Sequence, residues 1–258
     1  MRLIVTRPAA QAAAWVDELR ALGLDAVALP LIQIGPPADA APVILAWREL
    51  PQLSLVMFVS ANAVQWFFAQ ASGPWPAGVR AGSTGPGTSA ALRDAGLPSA
   101  AIVEPPVDAA RFDSEALWVQ LSGEDWAGRR ALIVRGEDGR DWLAETLRSR
   151  GAAVEFVAAY RRLPPQPDAA QQALLQAALA DPAAQLWLFS SSEAIGHLRA
   201  LAPGANWSAS RALASHPRIA QAARDAGFGR VQQLAIPGAA ALAAWLAQQD
   251  PSIQSAAL

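Results

Sequence analysis

Short apolar segments alternate along the whole chain with longer segments that have helical apolar spacing. Residues 2–6 predict a strand, residues 11–22 show the i, i+3, i+4 apolar spacing of a helix, and residues 26–34 predict a second strand. A proline pair at 36–37 ends this first unit. Strands that alternate with helices are typical of parallel sheets joined by crossover helices, which predicts an α/β protein.

The same order of elements recurs in residues 131–165. Residues 132–134 repeat the apolar residues 3–5 at an offset of 129 positions, and a polar loop, a helical pattern and a strand follow. Proline-rich segments close both copies, at 35–37 and at 164–167. The chain therefore contains two related βαβ units.

The remaining sequence repeats as well, at an offset of about 131 positions. Residues 54–64 correspond to 184–195, where an apolar strand breaks into serine-rich polar residues before a helix. The tetrapeptide Arg-Asp-Ala-Gly is identical at 93–96 and at 224–227. Further strands are predicted near 101–104 and 231–235, so each half should hold about five strands.

Two divisions into domains agree with this repeat. In a sequential division the chain breaks near residues 105–126. In an interleaved division residues 1–35 and 168–258 form the first domain, residues 38–163 form the second, and linkers lie at 35–38 and 163–168. The paired proline-rich segments favour interleaving, because they resemble one exit and one return crossing. The second domain is then a circular permutation of the first. Residues 250–258 are expected to be a frayed tail.

Composition narrows the classes of function. There is no cysteine, which excludes disulfides and thiolate metal sites, and the two histidines are too few to indicate a histidine-based metal centre. A net charge of −2 provides no general attraction for nucleic acid. All 20 basic residues are arginine, so a Schiff-base lysine is excluded and any anion site must use arginine or backbone amides. With no signal peptide and no membrane-spanning apolar run, a cytoplasmic protein is expected.

The loops between strands and helices are the candidates for chemistry. Ligands of open parallel sheets bind at the carboxyl ends of the strands, where helix N-termini present free N–H groups to anions. Ordinary helix capping by serine, threonine and asparagine is the alternative interpretation of these loops. They are Thr6 to Pro8, Ser60 to Asn62, Ser83 to Thr88, Arg135 to Arg140, Ser190 to Ser192 and Ser215 to Arg218.

Two features of these regions allow a sharper interpretation. The segment GSTGPG (82–87) is similar to a phosphate-binding loop but matches neither glycine fingerprint, so nucleotide binding is not favoured. Tyr160 is the single tyrosine and ends a strand just before Arg161 and Arg162. Its phenol is protonated at neutral pH and can donate a hydrogen bond or a proton. An interface aromatic with a solvated hydroxyl is the alternative.

Five segments together are similar to the uroporphyrinogen-III synthase family, over roughly residues 1 to 246. They are LIVTRP (3–8), FVSANAV (58–64), the loop 85–88, VRGEDGR (134–140) and AAYRR (158–162). The resemblance implies two flavodoxin-like α/β domains with parallel sheets, interleaved in sequence and joined by a two-stranded linker. It also implies cyclisation of hydroxymethylbilane to uroporphyrinogen III, with inversion of ring D, loss of water and no metal or organic cofactor. The product serves haem, sirohaem, chlorophyll or cobalamin biosynthesis.

The resemblance also implies roles for individual residues. Tyr160 matches the cleft tyrosine of the family and is expected to assist departure of the substrate hydroxyl. Thr88 matches a rim threonine of the second domain, whereas Ile219 occupies the equivalent position of the first domain, so a catalytic hydroxyl there is in doubt. The expected substrate-binding residues are Arg7, Ser60, Thr84, Thr88, Arg135, Gly136, Arg140, Ser190, Ser191, Ser215 and Arg218, and among them Arg7, Arg135 and Arg140 are expected to contact the substrate carboxylates. The three arginines 7, 135 and 140 can equally form local salt bridges, for example with Glu137, Asp138 or Asp141.

The expected partner is the linear polycarboxylate tetrapyrrole, with a transient contact to hydroxymethylbilane synthase. The protein is expected to be a monomer that binds neither nucleic acid nor membranes.

Two rival functions come from other classes of protein. A two-lobed small-molecule binding protein would bind a ligand reversibly without forming a product. An oxidoreductase with a discontinuous nucleotide domain would need a glycine fingerprint that the sequence lacks.

Overall fold

The computed structural model describes residues 1–109, 111–137, 139–234 and 238–249. Its strands are β1 (Arg2–Val5), β2 (Ala26–Ala28), β3 (Gln33–Gly35), β4 (Leu55–Phe58), β5 (Arg80–Ser83), β6 (Ile102–Val103), β7 (Arg130–Arg135), β8 (Ala153–Ala158), β9 (Arg161–Leu163), β10 (Gln185–Phe189), β11 (Arg211–Ala214) and β12 (Arg230–Gln233). Its helices are α1 (Ala9–Ala21), α2 (Ala41–Glu49), α3 (Ala61–Phe68), α4 (Pro86–Asp94), α5 (Ser114–Leu121), α6 (Trp142–Ser149), α7 (Ala169–Ala180), α8 (Ser192–Leu201), α9 (Pro217–Asp225) and α10 (Ala239–Gln249).

The chain divides into two compact units. Unit 1 consists of Met1–Gln33 with Leu163–Leu258, and unit 2 consists of Ile34–Arg162. Strands β3 and β9 pair as a separate two-stranded sheet at the two points where the chain passes from one unit to the other. Each of the other sheets lies within one unit.

Unit 1 contains a five-stranded sheet with the order β2-β1-β10-β11-β12, and all neighbouring strands are parallel. Numbered along the unit, this is the 2-1-3-4-5 order of flavodoxin-like folds. Unit 2 has the order β8-β7-β4-β5-β6, again parallel throughout. Strands β7 and β8 thus take the places that β1 and β2 hold in unit 1. The prediction of parallel α/β sheets with about five strands each is confirmed.

The predicted strand over residues 26–34 is wrong as a single element. The structure has β2 and β3 there, with an irregular stretch between them. The amides of Leu29 and Leu31 still donate to the carbonyls of Val5 and Thr6, at 2.9 and 3.2 Å. Both amides face β1, so the missing N–H of Pro30 lies on the outer side of this edge strand. The regular pairing ends because β1 itself ends at Val5 and the chain enters α1 at Ala9.

The core of unit 2 covers both faces of its sheet. In β4, Val56 and Phe58 pack in one cluster with α2, α3 and α4, whereas Leu55 and Met57 pack in a second cluster with α5 and α6. Successive side chains of a strand point to opposite faces, so two buried faces require a continuous apolar run. All four residues are at most 2% exposed. In the described part of the chain, no helix combines the length and apolarity needed to cross a membrane.

Candidate functional site

Tyr160 lies at the carboxyl end of the unit 2 sheet, between β8 and β9. Its side chain is 9% exposed and packs against the cluster formed by α2, α3 and α4. Its hydroxyl oxygen lies 3.4 Å from Oγ of Ser60, which follows β4. Since β7 separates β8 from β4, the phenol crosses the end of β7 to reach the serine.

Gly136 makes this crossing possible. It is buried at the first position after β7, and a Cβ atom placed on it would lie 3.1 Å from Cζ of Tyr160. Any side chain here would therefore press on the phenol ring. The glycine permits close approach of the ring, and its φ angle imposes no special requirement.

Ser60 connects the phenol to the start of a helix. It is the N-cap residue of α3, and its Oγ accepts a hydrogen bond of 3.2 Å from the Ala63 amide. The capping role proposed as the alternative for this residue is thus present. Because Oγ of Ser60 accepts from this amide, its own hydroxyl proton is free to be donated to another oxygen. The hydroxyl oxygen of Tyr160 lies within reach as the acceptor.

The loop from Ser83 to Thr88 adjoins Ser60, because Thr84 Oγ1 donates to the carbonyl of Val59 at 3.4 Å. Ser83 is fully buried and donates to the carbonyl of Gly85 at 2.9 Å, while Ser89 donates to Ser83 at 2.8 Å. The hydroxyls of Ser83 and Ser89 are therefore engaged in hydrogen bonds with neighbouring groups of the loop and of α4. The Thr88 hydroxyl has no hydrogen-bond partner among the described residues, which leaves it available to a ligand.

Arg135, at the end of β7, and Arg140, in the loop that follows, differ in their contacts. Arg135 pairs with Asp141 at 2.5 Å, and its guanidinium carbon lies 4.1 Å from the centroid of Phe156. It therefore makes the local salt bridge given above as the alternative. Arg140 is exposed and enters none of the ion pairs formed within the described ranges. Asp138, named as another partner, lies outside the described residues.

Unit 1 has its own pocket at the carboxyl end of the sheet. The apolar residues Val5, Leu188 and Leu213 are neighbours in strand register and form part of its lining. Two positions beyond them lie Arg7, Ser190 and Ser215, which line the same pocket. The structure thus brings together three of the predicted contact residues from three different loops.

Arg7 has an unusual environment in this pocket. Its guanidinium carbon lies 4.1 Å from the centroid of the Trp15 ring. Burial lowers the pKa of the Arg7 guanidinium, and the charge of Glu18 offsets part of this effect. No described carboxylate forms an ion pair with it.

The remaining candidates of unit 1 lie at helix starts. Ser191 caps α8 and accepts from the Glu193 amide at 3.2 Å, so its hydroxyl has a structural role. His216 caps α9 through a 3.2 Å bond from the Arg218 amide to Nδ1, while Arg218 itself is exposed. Ile219 is 5% exposed and points into the unit. In the parts of the chain with described coordinates, no three carboxylate or imidazole groups converge as a metal ion would require.

Sequence reasoning missed three aromatic residues around these groups. Trp15 lies under Arg7, Phe156 lies under Arg135, and Phe112 packs so closely on Gly85 that a Cβ there would lie 3.0 Å from Phe112 Cβ. Trp15 occupies an apolar position of the helical pattern over residues 11–22, and such a position by itself predicts a core residue. No local sequence signal distinguishes a ring that packs on an arginine from one that packs in the core.

Comparison with known proteins identifies relatives over most of the chain. A family model described as uroporphyrinogen-III synthase HemD matches residues 13–244. The uroporphyrinogen-III synthase of Salmonella typhimurium is 36% identical over 187 residues, which covers 67% of this chain and 70% of the relative. That of Synechococcus elongatus is 33% identical over 219 residues, which covers 80% of this chain and 78% of the relative.

Solved structures of the same description share the fold. A uroporphyrinogen III synthase from the bacterium Thermus thermophilus superposes with a TM-score of 0.51 at 19% identity and covers 97% of this chain and 99% of that chain. The corresponding protein of Helicobacter pylori gives a TM-score of 0.53 at 16% identity and covers 96% and 100%. At these identities the likeness concerns the fold alone.

Proposed function

The chain belongs to the uroporphyrinogen-III synthase family, and we propose that it converts hydroxymethylbilane to uroporphyrinogen III. The family consists of cyclising hydro-lyases of tetrapyrrole biosynthesis. The proposed reaction removes the terminal hydroxyl of the linear tetrapyrrole as water, inverts ring D through a spiro-pyrrolenine intermediate and closes the macrocycle. The resemblance of the chain to this family, over residues 13–244, is the observation that carries the proposal.

Tyr160 is the proposed donor to the leaving hydroxyl. Its phenol is the polar tip of an otherwise apolar, buried side chain, and it lies at the sheet edge where ligands of this fold class bind. The carbon–oxygen bond breaks as the hydroxyl takes up a proton and leaves as water. Ring closure later releases one proton, so the phenol is restored without an external acid. Ser60 holds the phenol oxygen in place by a hydrogen bond.

Positioning is the larger part of the proposed catalysis. Hydroxymethylbilane closes without inversion when left alone, so the protein must hold the two ends of the chain in the geometry that gives the inverted product. The pyrrole nitrogen helps to expel the hydroxyl, which reduces the need for a strong acid. Backbone amides and hydroxyls at helix starts suit this task, because they are fixed in place before the substrate binds.

The substrate carries eight carboxylates, and the proposed contacts are those whose polar groups remain available. In unit 2 these are Arg140, Thr88 and the amides of the loops after β5 and β7. In unit 1 they are Arg7, Ser190, Ser215 and Arg218. Arg135 is held by Asp141 and Phe156, so we assign it to the support of its loop in the absence of substrate.

We further propose that residues 1–35 with 168–258 and residues 38–163 act as two domains, with linkers at 35–38 and 163–168. The two compact units and the β3–β9 pair support this division. The proposal includes action as a cytoplasmic monomer. A transient contact with hydroxymethylbilane synthase would limit the time in which the unstable substrate can close spontaneously.

One experiment separates this function from a binding protein without catalysis. The protein is incubated with freshly prepared hydroxymethylbilane, the products are oxidised, and the type I and type III isomers are separated. We expect the type III isomer to dominate with protein and the type I isomer without it. If both incubations give only the type I isomer, the proposed function is wrong and the alternative of a two-lobed binding protein is favoured.

A further inference from the structure

The pocket of unit 1 contains the guanidinium of Arg7, which forms no ion pair with any described carboxylate. Arg7 is half-buried at the end of β1, and its ring contact with Trp15 covers one face of the guanidinium. Glu18 acts on it electrostatically but forms no ion pair with it within the described part of the chain. A partly desolvated guanidinium gains most from a carboxylate that can accept two of its N–H bonds.

The rest of the pocket fits the same ligand group. Ser190 and Ser215 line it directly after the neighbouring strands β10 and β11, and the hydroxyl of neither has a partner in the described structure. The apolar residues Val5, Leu188 and Leu213 lie beneath, so the ligand atoms behind the charged group should be apolar. The pocket is small, with a cavity volume of about 20 Å³, and it opens to solvent on one side.

Strand register relates this pocket to the tyrosine of unit 2. In unit 1, Val5 pairs with Leu188, and Arg7 and Ser190 lie two positions further on. In unit 2, Val134 pairs with Phe58, and two positions further on lie Gly136, which supports the phenol of Tyr160, and Ser60. Gly136 in unit 2 and Arg7 in unit 1 therefore occupy equivalent positions of the two sheets. In unit 2 the phenol ring of Tyr160 packs over the glycine, whereas in unit 1 the arginine side chain itself lies at this position.

We propose that Trp15 is a positioning residue, which holds Arg7 in the orientation that one carboxylate arm of the tetrapyrrole requires. The inference rests on the proposed function for the identity of the ligand. Acetate and propionate arms are the two kinds of carboxylate that such a substrate carries, and each presents methylene groups behind its charge. The guanidinium binds the carboxylate, the two hydroxyls donate to it, and the apolar floor contacts the methylene groups.

Trp15 acts through Arg7 because it restricts the long, flexible arginine side chain before the ligand arrives. The electron-rich face of an indole ring stabilises a cation placed over it, most when the cation is desolvated. Without the ring, the guanidinium can turn toward water or toward Glu18, and ligand binding must then offset the cost of reordering it. The expected consequence is weaker substrate binding with little change in the chemical step.

The kinetic test compares three substitutions with hydroxymethylbilane as substrate. We expect Trp15→Leu to raise KM about tenfold while kcat stays within about twofold, and Trp15→Phe to remain within about threefold of the wild-type KM. The matched control is Trp118→Leu, which removes the ring that lies 5.7 Å from Arg150 in unit 2. Thermal unfolding confirms that each variant is folded. A Trp15→Leu variant with the same KM as Trp118→Leu would overturn the inference.

A second measurement needs no activity. Propionate is titrated into the wild-type protein while the Nε–Hε signals of the arginines are followed by NMR, and Arg7→Gln assigns the Arg7 signal. We expect that signal to shift saturably with propionate and not with propionamide, with an apparent Kd about tenfold higher in Trp15→Leu. Absence of a saturable shift in the wild type would contradict the subsite. If the wild type forms uroporphyrinogen III but these tests fail, the inference is wrong and the proposed function stands.

Discussion

The hydroxyl oxygen of Tyr160 lies 3.4 Å from Oγ of Ser60, although the two residues are 100 positions apart in the chain. Their backbones lie two inter-strand spacings apart, about 10 Å at the usual distance between neighbouring strands, and the phenol covers this distance over the end of β7. Because Ser60 is itself fixed by the Ala63 amide, the phenol oxygen is held in place by the start of a helix. This arrangement fixes the position of a proton donor at the carboxyl end of the unit 2 sheet.

Tyr160→Phe removes the phenol oxygen and keeps the ring. We expect formation of uroporphyrinogen III to fall about tenfold, which corresponds to about 1.4 kcal/mol and suits one useful but dispensable hydrogen bond. Initial rates with fresh hydroxymethylbilane measure the effect. Full wild-type turnover in this variant would exclude the role of Tyr160 as an acid. Ser60→Ala provides the companion measurement, since it removes the orienting hydroxyl and should cause a smaller loss.

Gly136→Ala tests the close approach of the phenol. The new methyl group would lie 3.1 Å from Cζ of Tyr160, so the ring must shift by a few tenths of an ångström. We expect kcat to fall about threefold to tenfold, because small misplacements of a catalytic group are costly. Gly123→Ala is the matched control, since nothing lies within 4 Å of a Cβ at that position. Equal rates for the two variants would show that the position of the ring does not matter.

The fold was predictable because its signal is repeated. Each half of the chain carries the same alternation of apolar runs and helical patterns, so an error in one copy is corrected by the other. Where the prediction failed, over residues 26–34, the cause was tertiary. The neighbouring strand β1 ends at Val5, so the regular pairing of this segment ends there, and no local pattern shows where that neighbour ends.

The site was only partly predictable, because availability depends on partners distant in sequence. Arg135 and Arg140 lie five positions apart and look alike in sequence, yet only Arg135 pairs with Asp141 and packs on Phe156. Thr84 donates to Val59, 25 positions earlier, and this contact has no sequence signature. The loops follow from the order of strands and helices, but which side chains remain available in them follows from packing.

Arg140→Ala tests the difference between the two arginines of this loop. Arg140 is exposed without an ion pair in the described structure, so its loss should leave stability unchanged and raise KM about threefold to tenfold at low salt. We expect KM to increase with NaCl in the wild type, and less steeply in Arg140→Ala. Identical salt dependence in both proteins would contradict a contact with the substrate carboxylates.

Arg135→Ala should show the opposite behaviour. This variant loses the pair with Asp141 and the contact with Phe156, so unit 2 should unfold at a lower denaturant concentration, with a loss of about 1 kcal/mol. The salt dependence of KM should stay close to that of the wild type. Chemical denaturation and kinetics on the same preparations provide both values, and a stability equal to that of the wild type would refute the supporting role.

The lowered pKa of the Glu124 carboxyl group makes the stability of unit 2 depend on pH. Hydrogen bonds from Arg80, followed by the charges of Arg80 and Arg129, hold the pKa of this carboxyl below its ordinary value, against the opposing effect of burial. One Arg80 contact measures 2.7 Å and the Arg129 contact 3.0 Å. Because the folded state depresses this pKa, the stabilisation is complete above the ordinary value of about 4.3 and disappears as the pH falls through the lower folded value.

Glu124→Gln should therefore destabilise unit 2 by about 1 kcal/mol at pH 7, a modest value because the group is partly solvated. The difference from wild type should shrink as the pH falls below about 4, since the native carboxyl then becomes neutral as well. Glu145→Gln is the control, because Glu145 is exposed and forms no ion pair within the described residues. Denaturant titrations at pH 7 and near pH 3 measure the difference. A constant difference across this range would mean that lost packing, and not the charge on Glu124, causes the destabilisation.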